Sequence, residues 1–324
     1  MERGVDFNRD RRMWCRQCGD EWTVDLEWVE RWIQRKEACA GCGTTCDAEN
    51  AAQFVVHASD PALDDGVATQ LAWYHTSTHL DWPPTIDFAG SLNDDTRQLM
   101  GGDEAVNRWS DRQATKALHI GTYESAIHNM LRRIDDQGDQ DKQFYLYRVH
   151  LKPGVIIRPG WIADPSNWLG DVDLDKIGPP EVEAVRYVNF HEDPGGVSVA
   201  IRRSAVGATQ CLAIPLPIED DDPWINDAVA RLSSDPPDRL LPVELGRFRH
   251  LLEESPRART AAAAANVLAD RLPTNLRHQF EAATRWHAEN EPTEWARRTA
   301  GLAALIEDSP RVLAELDAQA TCEH

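Results

Sequence analysis

The spacing of apolar residues changes along the chain, and the changes predict three regions. Between residues 28 and 33, two tryptophans, a valine and an isoleucine recur at the spacing of one helical face, which predicts a short helix. From residue 71, short apolar runs alternate with turn residues, as is typical of strands. From residue 223 the chain is rich in Ala, Leu, Glu and Arg, and a helical bundle is expected over 223–324. The apolar stripes of that bundle are marked by Leu302, Leu305, Ile306, Leu313 and Leu316.

The middle region is expected to form a mixed α+β domain over 68–217. Its predicted strands are rich in β-branched and aromatic residues and are bounded by Pro, Gly and Asp. They are Leu71–Tyr74, Ala117–Ile120, Phe144–His150, Val155–Ile157, Ala184–Phe190 and Val197–Ile201. A helix is expected over Glu124–Arg133, and Thr122 can serve as its N-cap.

The segments that join these regions are predicted from their composition. Residues 47–70 are interpreted as a linker and residues 219–222 as a solvated acidic hinge. Within the tail, one helix is expected to run over 261–272, and Pro273 and Pro292 are expected to interrupt the helical series.

Five of the seven cysteines lie within 32 positions, a clustering typical of a metal site. Cys15 and Cys18 form one CxxCG motif, and Cys39 and Cys42 form a second. Four thiolates suit tetrahedral zinc, and a site with four protein ligands has no position open for catalysis. We therefore expect a structural zinc ribbon over residues 1–50, with Cys46 as an alternative to Cys42.

Composition narrows the range of partners. Of the 324 residues, 42% are apolar and 27% are charged, and acids outnumber bases 54 to 34, which gives a net charge of −20. This charge argues against binding to nucleic acid or to an anionic membrane through bulk electrostatics. Neither a transmembrane run nor a secretory signal is recognised, so a cytoplasmic protein without a membrane partner is expected.

A basic stripe lies immediately before and within the first cysteine motif. It consists of Arg9, Arg11, Arg12 and Arg16. Such a stripe could line a local groove for nucleic acid, but a charge run at a terminus is more often a solvated surface. The solvated terminus is the interpretation we favour.

Three strand ends in the middle region carry polar groups, which is where sites are often built. The three motifs are His75-Thr76-Ser77, His119-Ile-Gly121-Thr122 and Tyr187-Val-Asn189-Phe-His-Glu192. Taken singly, each has an ordinary structural interpretation: a hydrogen-bonded histidine, a helix cap and a turn.

Taken in order, and with the tyrosine-rich strand over 145–153, these motifs resemble an ADP-ribosyltransferase domain. The resemblance covers 70–210 and is nearest to the histidine-first branch, of diphtheria-toxin and poly-ADP-ribose-polymerase type, including phage and bacterial toxins. It implies a split mixed sheet and the transfer of ADP-ribose from NAD⁺ to a protein or nucleic-acid acceptor, with release of nicotinamide. It also makes a toxin or phage-defence effector a candidate role, and an antitoxin or immunity protein a candidate partner.

The resemblance implies roles for the first and third motifs. His75 would hydrogen-bond the nicotinamide ribose, and Thr76 would hold the adjoining groups. Glu192 would stabilise the oxocarbenium ion that forms when nicotinamide leaves, and Asn189 would fix the loop that carries Glu192.

The second motif would line the opposite wall of the NAD⁺ site. His119, Gly121 and Thr122 would contribute to this wall, at a place where relatives carry an aromatic or hydroxyl residue. The usual tyrosine is missing there, and the neighbouring Tyr123 is a candidate for the ring that stacks on nicotinamide.

Two other classes of function stay open on the sequence alone. His75, His79, His119 and Glu192 could bind a catalytic metal in a hydrolase. Alternatively, the ribbon and the bundle could form a non-enzymatic adapter in which the central domain is inactive.

Overall fold

The structure is a computed structural model. It describes residues 1–45, 52–83, 89–90, 92–166, 171–219, 221–238 and 255–324. Over these residues the chain forms eleven helices and eleven strands, and the predicted α+β class is confirmed. Cys46 lies outside the described residues, as does part of the predicted acidic hinge.

The first sheet belongs to the cysteine-rich region and is antiparallel, with β1 in its centre. Its strands are β1 (Arg11–Cys15), β2 (Glu21–Val24) and β3 (Ala52–Val55). Helix α1 (Leu26–Ile33) follows β2 and is capped by Asp25, whose side chain accepts a hydrogen bond from the backbone N–H of Trp28. Val29 and Trp32 are buried but Ile33 is exposed, so the helix is confirmed with a narrower apolar face than expected.

The predicted linker 47–70 contains regular structure. β3 pairs with β1, and a 3₁₀ turn at Pro61–Leu63 leads into α2 (Asp65–Ala68). β3 was not predicted because its four residues are too few to show an alternating pattern. The ribbon sheet therefore includes residues beyond 50.

Two further sheets form the centre of the molecule. The second sheet is antiparallel in the order β11-β10-β6-β4, and the third has the order β5-β9-β8-β7, with only β7 parallel to its neighbour. Their strands are β4 (Trp73–Ser77), β5 (Leu118–Ile120), β6 (Phe144–Leu151), β7 (Ile162–Ala163), β8 (Ala184–Val188), β9 (Val197–Ile201), β10 (Val206–Ile214) and β11 (Cys322–Glu323).

Five of the six predicted strands are present in some form, and one is not. Val155–Ile157 contributes only a single bridge, between Ile157 and Ala184. The run lies between Pro153-Gly154 and Pro159-Gly160, which leaves too few residues for a ladder. The nine-residue β10 was missed because a glycine and polar side chains interrupt its apolar pattern.

Over the described residues, backbone hydrogen bonds join the second and third sheets at one pair of residues. The backbone N–H of Tyr74 donates to the carbonyl of Gly121 at 2.9 Å, and the N–H of Gly121 donates to the carbonyl of Tyr74 at 2.9 Å. Beyond this pair, β4 and β5 belong to different sheets. The split therefore opens next to His75 on one strand and His119 on the other.

Helix α5 (Tyr123–Asp136) begins at the split, and its N-cap is Thr122 as predicted, with the side chain accepting from the N–H of Ser125 at 3.0 Å. It packs against β4 and against the tail helix α9. The other helices before the tail are α3 (Asp94–Leu99), α4 (Asp103–Ala114) and α6 (Leu174–Ile177).

The described tail is helical apart from β11. Its helices are α7 (Pro223–Ser234), α8 (Pro256–Ala269), α9 (Thr274–Ala283), α10 (Pro292–Glu307) and α11 (Ser309–Asp317). Pro273 caps α9 and Pro292 is the first residue of α10, so both prolines separate helices as expected. The helix predicted over 261–272 ends three residues earlier. Within the described ranges, no helix is long and apolar enough to cross a bilayer.

Two buried cores run across the boundaries predicted from the sequence. One core joins α5 and one face of the second sheet to the tail helices. The other contains buried residues of the second and third sheets and continues into the ribbon, where it includes Cys15 and Cys39. The ribbon also contacts the tail directly, because α1 packs against α9.

Candidate functional site

The four predicted zinc ligands converge. The sulfur atoms of Cys15 and Cys42 are 3.6 Å apart, as are those of Cys18 and Cys39, and all four lie within 4.8 Å of one another. Zinc–sulfur bonds of about 2.3 Å in a tetrahedron require sulfur–sulfur distances of about 3.8 Å. The cluster therefore has the dimensions of a tetrahedral metal site.

The two cysteine motifs adopt the same turn. The N–H of Gly19 donates to the carbonyl of Cys15, and that of Gly43 to the carbonyl of Cys39, both at 2.8 Å. Gly19 has φ +78° and Gly43 has φ +74°, a left-handed conformation that glycine adopts without strain. A Cβ on either glycine would meet no atom within 4 Å, so conformation rather than close approach requires these glycines.

One sulfur of the cluster is prepared for the thiolate form. The Thr44 hydroxyl lies 3.1 Å from the Cys42 sulfur, and hydrogen bonds with the side chain and the backbone of Thr44 lower the pKa of Cys42 to about 6. In the described residues, these four cysteines are the only group of three or more His, Cys, Asp or Glu residues arranged to hold a metal. No such group includes His75, His79, His119 and Glu192.

The first motif lies on β4, at the split between the sheets. The Nδ1 of His75 is 2.8 Å from the carbonyl oxygen of His119. Its ring stacks on Trp82, with centroids 4.4 Å apart and planes at 23°. Burial lowers the pKa of His75 to about 3, so the imidazole is neutral. Because a carbonyl oxygen only accepts, Nδ1 carries the proton and Nε2 is left as an acceptor.

The hydroxyl of Thr76 already has a partner within the protein. Thr76 Oγ1 donates to the carbonyl of Ala126 at 3.1 Å, and the carbonyl of Thr76 accepts a long hydrogen bond of 3.5 Å from Arg133. Both contacts attach α5 to β4.

The second motif contributes a histidine and a close backbone approach. His119 Nδ1 lies 2.9 Å from the Tyr187 hydroxyl. A Cβ on Gly121 would lie 2.3 Å from Ser125 Oγ and 2.9 Å from Ser198 Oγ, so a larger residue would force both serine hydroxyls to move. Burial raises the pKa of Tyr187, and the charges of Asp164 and Glu192 raise it further, so the phenol stays protonated.

Thr122 and Tyr123 make contacts of another kind. Thr122 Oγ1 donates to Asp193 at 2.7 Å in addition to capping α5. The Tyr123 ring is buried edge-on against Tyr74, and its hydroxyl donates to the carbonyl of Leu305 at 2.7 Å. Both side chains are thus engaged by the protein itself.

The third motif is a tight loop between β8 and β9. Asn189 Oδ1 accepts hydrogen bonds from the N–H groups of His191, Glu192 and Asp193 at 2.8 to 3.1 Å. Its Nδ2 donates to Ser198 at 3.2 Å. Asn189 therefore holds the loop that carries Glu192, the contact that the sequence suggested.

Three residues of α5 hold Glu192. His128 Nδ1 donates to the Glu192 carbonyl at 2.7 Å, while Asn129 and Arg132 donate to Oε1 at 3.2 and 3.3 Å. Burial alone would raise the pKa of Glu192, but the Asn129 hydrogen bond and the Arg132 charge outweigh it, and the pKa lies below its ordinary value. Glu192 is therefore an ionised, half-buried carboxylate.

Contacts link all three motifs. His75 reaches the second motif through His119, and adjacent arginines of α5 contact the other two, with Arg132 on Glu192 and Arg133 on the carbonyl of Thr76. A cavity of about 690 Å³ lies elsewhere. It is lined by Thr122, Tyr123 and the N-terminal segment, and not by His75, His119 or Glu192.

Several residues of this cluster were missed by the sequence analysis. Asn129 and Arg132 lie three residues apart on the predicted helix, so helical spacing after the second motif could have identified them. Ser198 follows directly on the predicted start of β9. Trp82 carries no signal, because its contact with His75 depends on the path of the chain after β4.

Comparison of the chain with protein-family models, with curated proteins and with solved structures gives no match.

Proposed function

We propose that the protein is an NAD⁺-dependent ADP-ribosyltransferase that acts at the split between β4 and β5. The observation that carries this proposal is the contact chain from His75 to His119 and Tyr187, with Glu192 held by the helix that follows the second motif. The three motifs are 44 to 117 positions apart in the sequence, and contacts link them with one another and with α5. Coupled polar groups of this kind are a reasonable guide to a site.

His75 serves as a hydrogen-bond acceptor in this proposal. Its neutral imidazole donates a hydrogen bond from Nδ1 to the His119 carbonyl. Nε2 can therefore accept a hydrogen bond from a hydroxyl of the nicotinamide ribose. An imidazolium could not accept this bond.

Glu192 supplies the negative charge that the reaction needs. As the bond between ribose and nicotinamide breaks, positive charge develops on the ribose, and a fixed carboxylate stabilises it without reorganisation. Asn129 and Arg132 favour the ionised form and restrict its orientation. Tyr123 is not part of this proposed site, because its ring and hydroxyl are used in the core.

The metal in the four-cysteine cluster is zinc in a structural role, since four thiolates leave no open position. The acceptor is a protein or a nucleic acid in the cytoplasm. A toxin or defence effector of this kind would have an antitoxin or immunity protein as its partner.

The test is nicotinamide release from NAD⁺ by the full chain, with and without cell lysate as a source of acceptor. Glu192→Gln should lower the rate by about 100-fold or more, as expected when a fixed charge at the transition state is lost. Glu181→Gln is the matched control, because Glu181 is an exposed acid just before β8, the strand that leads into the Glu192 loop. This variant should release nicotinamide at the wild-type rate.

Two results would contradict the proposal. One is the absence of nicotinamide release together with the absence of NAD⁺ binding by calorimetry. The other is full activity in Glu192→Gln. Binding of NAD⁺ without turnover would instead favour the adapter, in which the central domain is inactive.

A further inference from the structure

A second carboxylate, next to Glu192, is held from three sides. Asp193 is 1% exposed, and its Oδ1 lies 2.6 Å from Arg9 Nη2 and 3.3 Å from Arg11 Nη2. Its Oδ2 accepts the hydrogen bond from Thr122 at 2.7 Å. The N-terminal segment, the start of α5 and the Glu192 loop therefore meet at one side chain.

The charges at this point depend on one another. Burial by itself would raise the pKa of Asp193, but the charges of Arg9 and Arg11 outweigh it and the pKa is lowered. Burial, and then repulsion from Arg9, lower the pKa of Arg11 to about 10. Glu124 also faces the cluster, and burial together with the charge of Asp193 raises its pKa. A buried carboxylate of this kind stays ionised only while its arginines are present.

The backbone after Asp193 is fitted around this ion pair. A Cβ on Gly196 would lie 2.2 Å from Asp193 Oδ2 and 2.9 Å from Arg9 Nη2. Gly195 has φ +80°, a left-handed conformation. The loop can close around the two charged groups only with glycines at these positions, and this closure fixes the peptide that carries Glu192.

The arginines belong to the cysteine-rich ribbon. Arg11 is the first residue of β1, and Cys15, a member of the metal cluster, is the last residue of the same strand. Arg11 is 3% exposed, so the expectation of a solvated basic stripe is wrong for this residue. Arg12 fits that expectation better, since it pairs with the exposed Glu21 at the surface.

We infer that Arg9 and Arg11 are positioning residues for Glu192, and that they act through Asp193. The inference rests on the proposed function for its catalytic meaning. In this proposal the ribbon places the guanidinium groups of Arg9 and Arg11 against Asp193, on the same loop that carries the reacting carboxylate of Glu192. Neither arginine contacts Glu192 itself.

The test uses full-length variants at the more exposed of the two arginines. Arg9 is 29% exposed in its side chain, so Arg9→Gln should fold, because Arg11 still pairs with Asp193. Arg9→Lys keeps the charge and should restore most of the loss. Arg12→Gln is the matched control, since it removes an arginine that is also near the start of β1 but is paired with Glu21.

The first readout is hydrogen exchange of the backbone amides over 189–196, which is independent of any activity. Arg9→Gln should speed exchange there while the amides of α10 keep their wild-type rates. The second readout is nicotinamide release, where kcat should fall between about 10- and 100-fold with little change in KM, because misplacement of a reacting group by about 1 Å has an effect of this size.

The outcomes separate the two proposals. If the amides over 189–196 exchange at wild-type rates in Arg9→Gln, the inference is overturned whatever the activity. It is also overturned if these amides exchange faster while kcat is unchanged. An inactive wild-type protein in which Arg9→Gln still loosens only this loop would overturn the enzymatic proposal and leave the positioning contact supported. Equal effects of Arg12→Gln and Arg9→Gln would also overturn the inference.

Discussion

Gly196 and Gly4 differ in the space around them, and this difference gives a prediction at the scale of single residues. Gly196→Ala would drive a methyl group into the Asp193 carboxylate, whereas a Cβ on Gly4 meets nothing within 4 Å. Overpacking of this kind typically costs about 1–3 kcal/mol. We expect urea unfolding to show a loss of this size for Gly196→Ala. Gly4→Ala should match the wild type, and equal stabilities of the two variants would contradict the prediction.

His75 gives a prediction for the pH dependence of stability. Its pKa is about 3 in the folded protein and about 6.5 in an unfolded chain. Between these values only the unfolded chain binds the proton, so the contribution of His75 is fully present above pH 6.5 and is lost as the pH falls toward 3. The wild type should therefore lose up to about 1.4 kcal/mol more than His75→Gln for each pH unit in this window.

Urea unfolding of both proteins at pH 7, 6 and 5 measures this difference. Burial lowers the pKa of His128 and His150 as well, and both residues are present in the two proteins, so the comparison isolates residue 75. Parallel stability curves would mean that His75 takes up a proton near its ordinary pKa in the folded protein.

Individual residues could be predicted where the signal was local. Thr122 as a helix cap follows from a contact within three positions. The support that Asn189 gives to its loop was implied by the family resemblance, and its contacts also lie within four positions. The role of Arg11 could not be predicted, because its partner Asp193 lies 182 positions away. Chain folding alone brings the two charges together, so the arginine looked like part of a solvated stripe.

At the scale of elements, the metal cluster should control the fold of the ribbon. Removing the metal leaves four thiols in tight turns beside a short sheet, and such modules commonly need their metal to fold. We expect one zinc per chain and loss of ribbon structure on chelation. Trp28 stacks on Trp32 with centroids 5.3 Å apart, so near-ultraviolet circular dichroism should report the loss.

A pair of cysteine variants checks this prediction. Cys18→Ser removes one ligand of the cluster, whereas Cys211→Ser changes a half-buried cysteine of β10 outside it. Zinc content by elemental analysis should fall in the first variant and stay at one per chain in the second. Retention of zinc and of the tryptophan signal in Cys18→Ser would contradict the four-cysteine assignment.

The elements that the sequence predicted are those with a regular apolar period. β9 was predicted to the residue, and the cysteine spacing correctly indicated the cluster of four cysteines. β10 was missed although it is the longest described strand, because a glycine and polar side chains interrupt its apolar pattern. Long-range pairing with β6 stabilises it, and a local pattern does not reveal such pairing.

At the scale of the whole molecule, the tail completes the core around α5. Tyr123 lies at the start of α5, and its hydroxyl donates a hydrogen bond to the backbone carbonyl of Leu305 in α10. The close contact of α10 with the end of β10 also needs a glycine, since a Cβ on Gly301 would lie 2.8 Å from Pro215. The tail is therefore part of the same buried structure as the proposed site, which a division into three sequence regions does not convey.

This arrangement predicts a core role for Tyr123, which Tyr123→Leu distinguishes from a ligand-stacking role and which is measured by Tyr123→Phe. The variant keeps the ring and loses one buried hydrogen bond, so the free energy of unfolding should fall by about 1 kcal/mol. NAD⁺ affinity by calorimetry and nicotinamide release should stay at wild-type values, because the ring packs against Tyr74 inside the protein. If Tyr123→Leu, which also removes the aromatic ring, weakened NAD⁺ binding at temperatures where the variant is fully folded, the ring would have to face the ligand. The path of α5 would then differ from the one described.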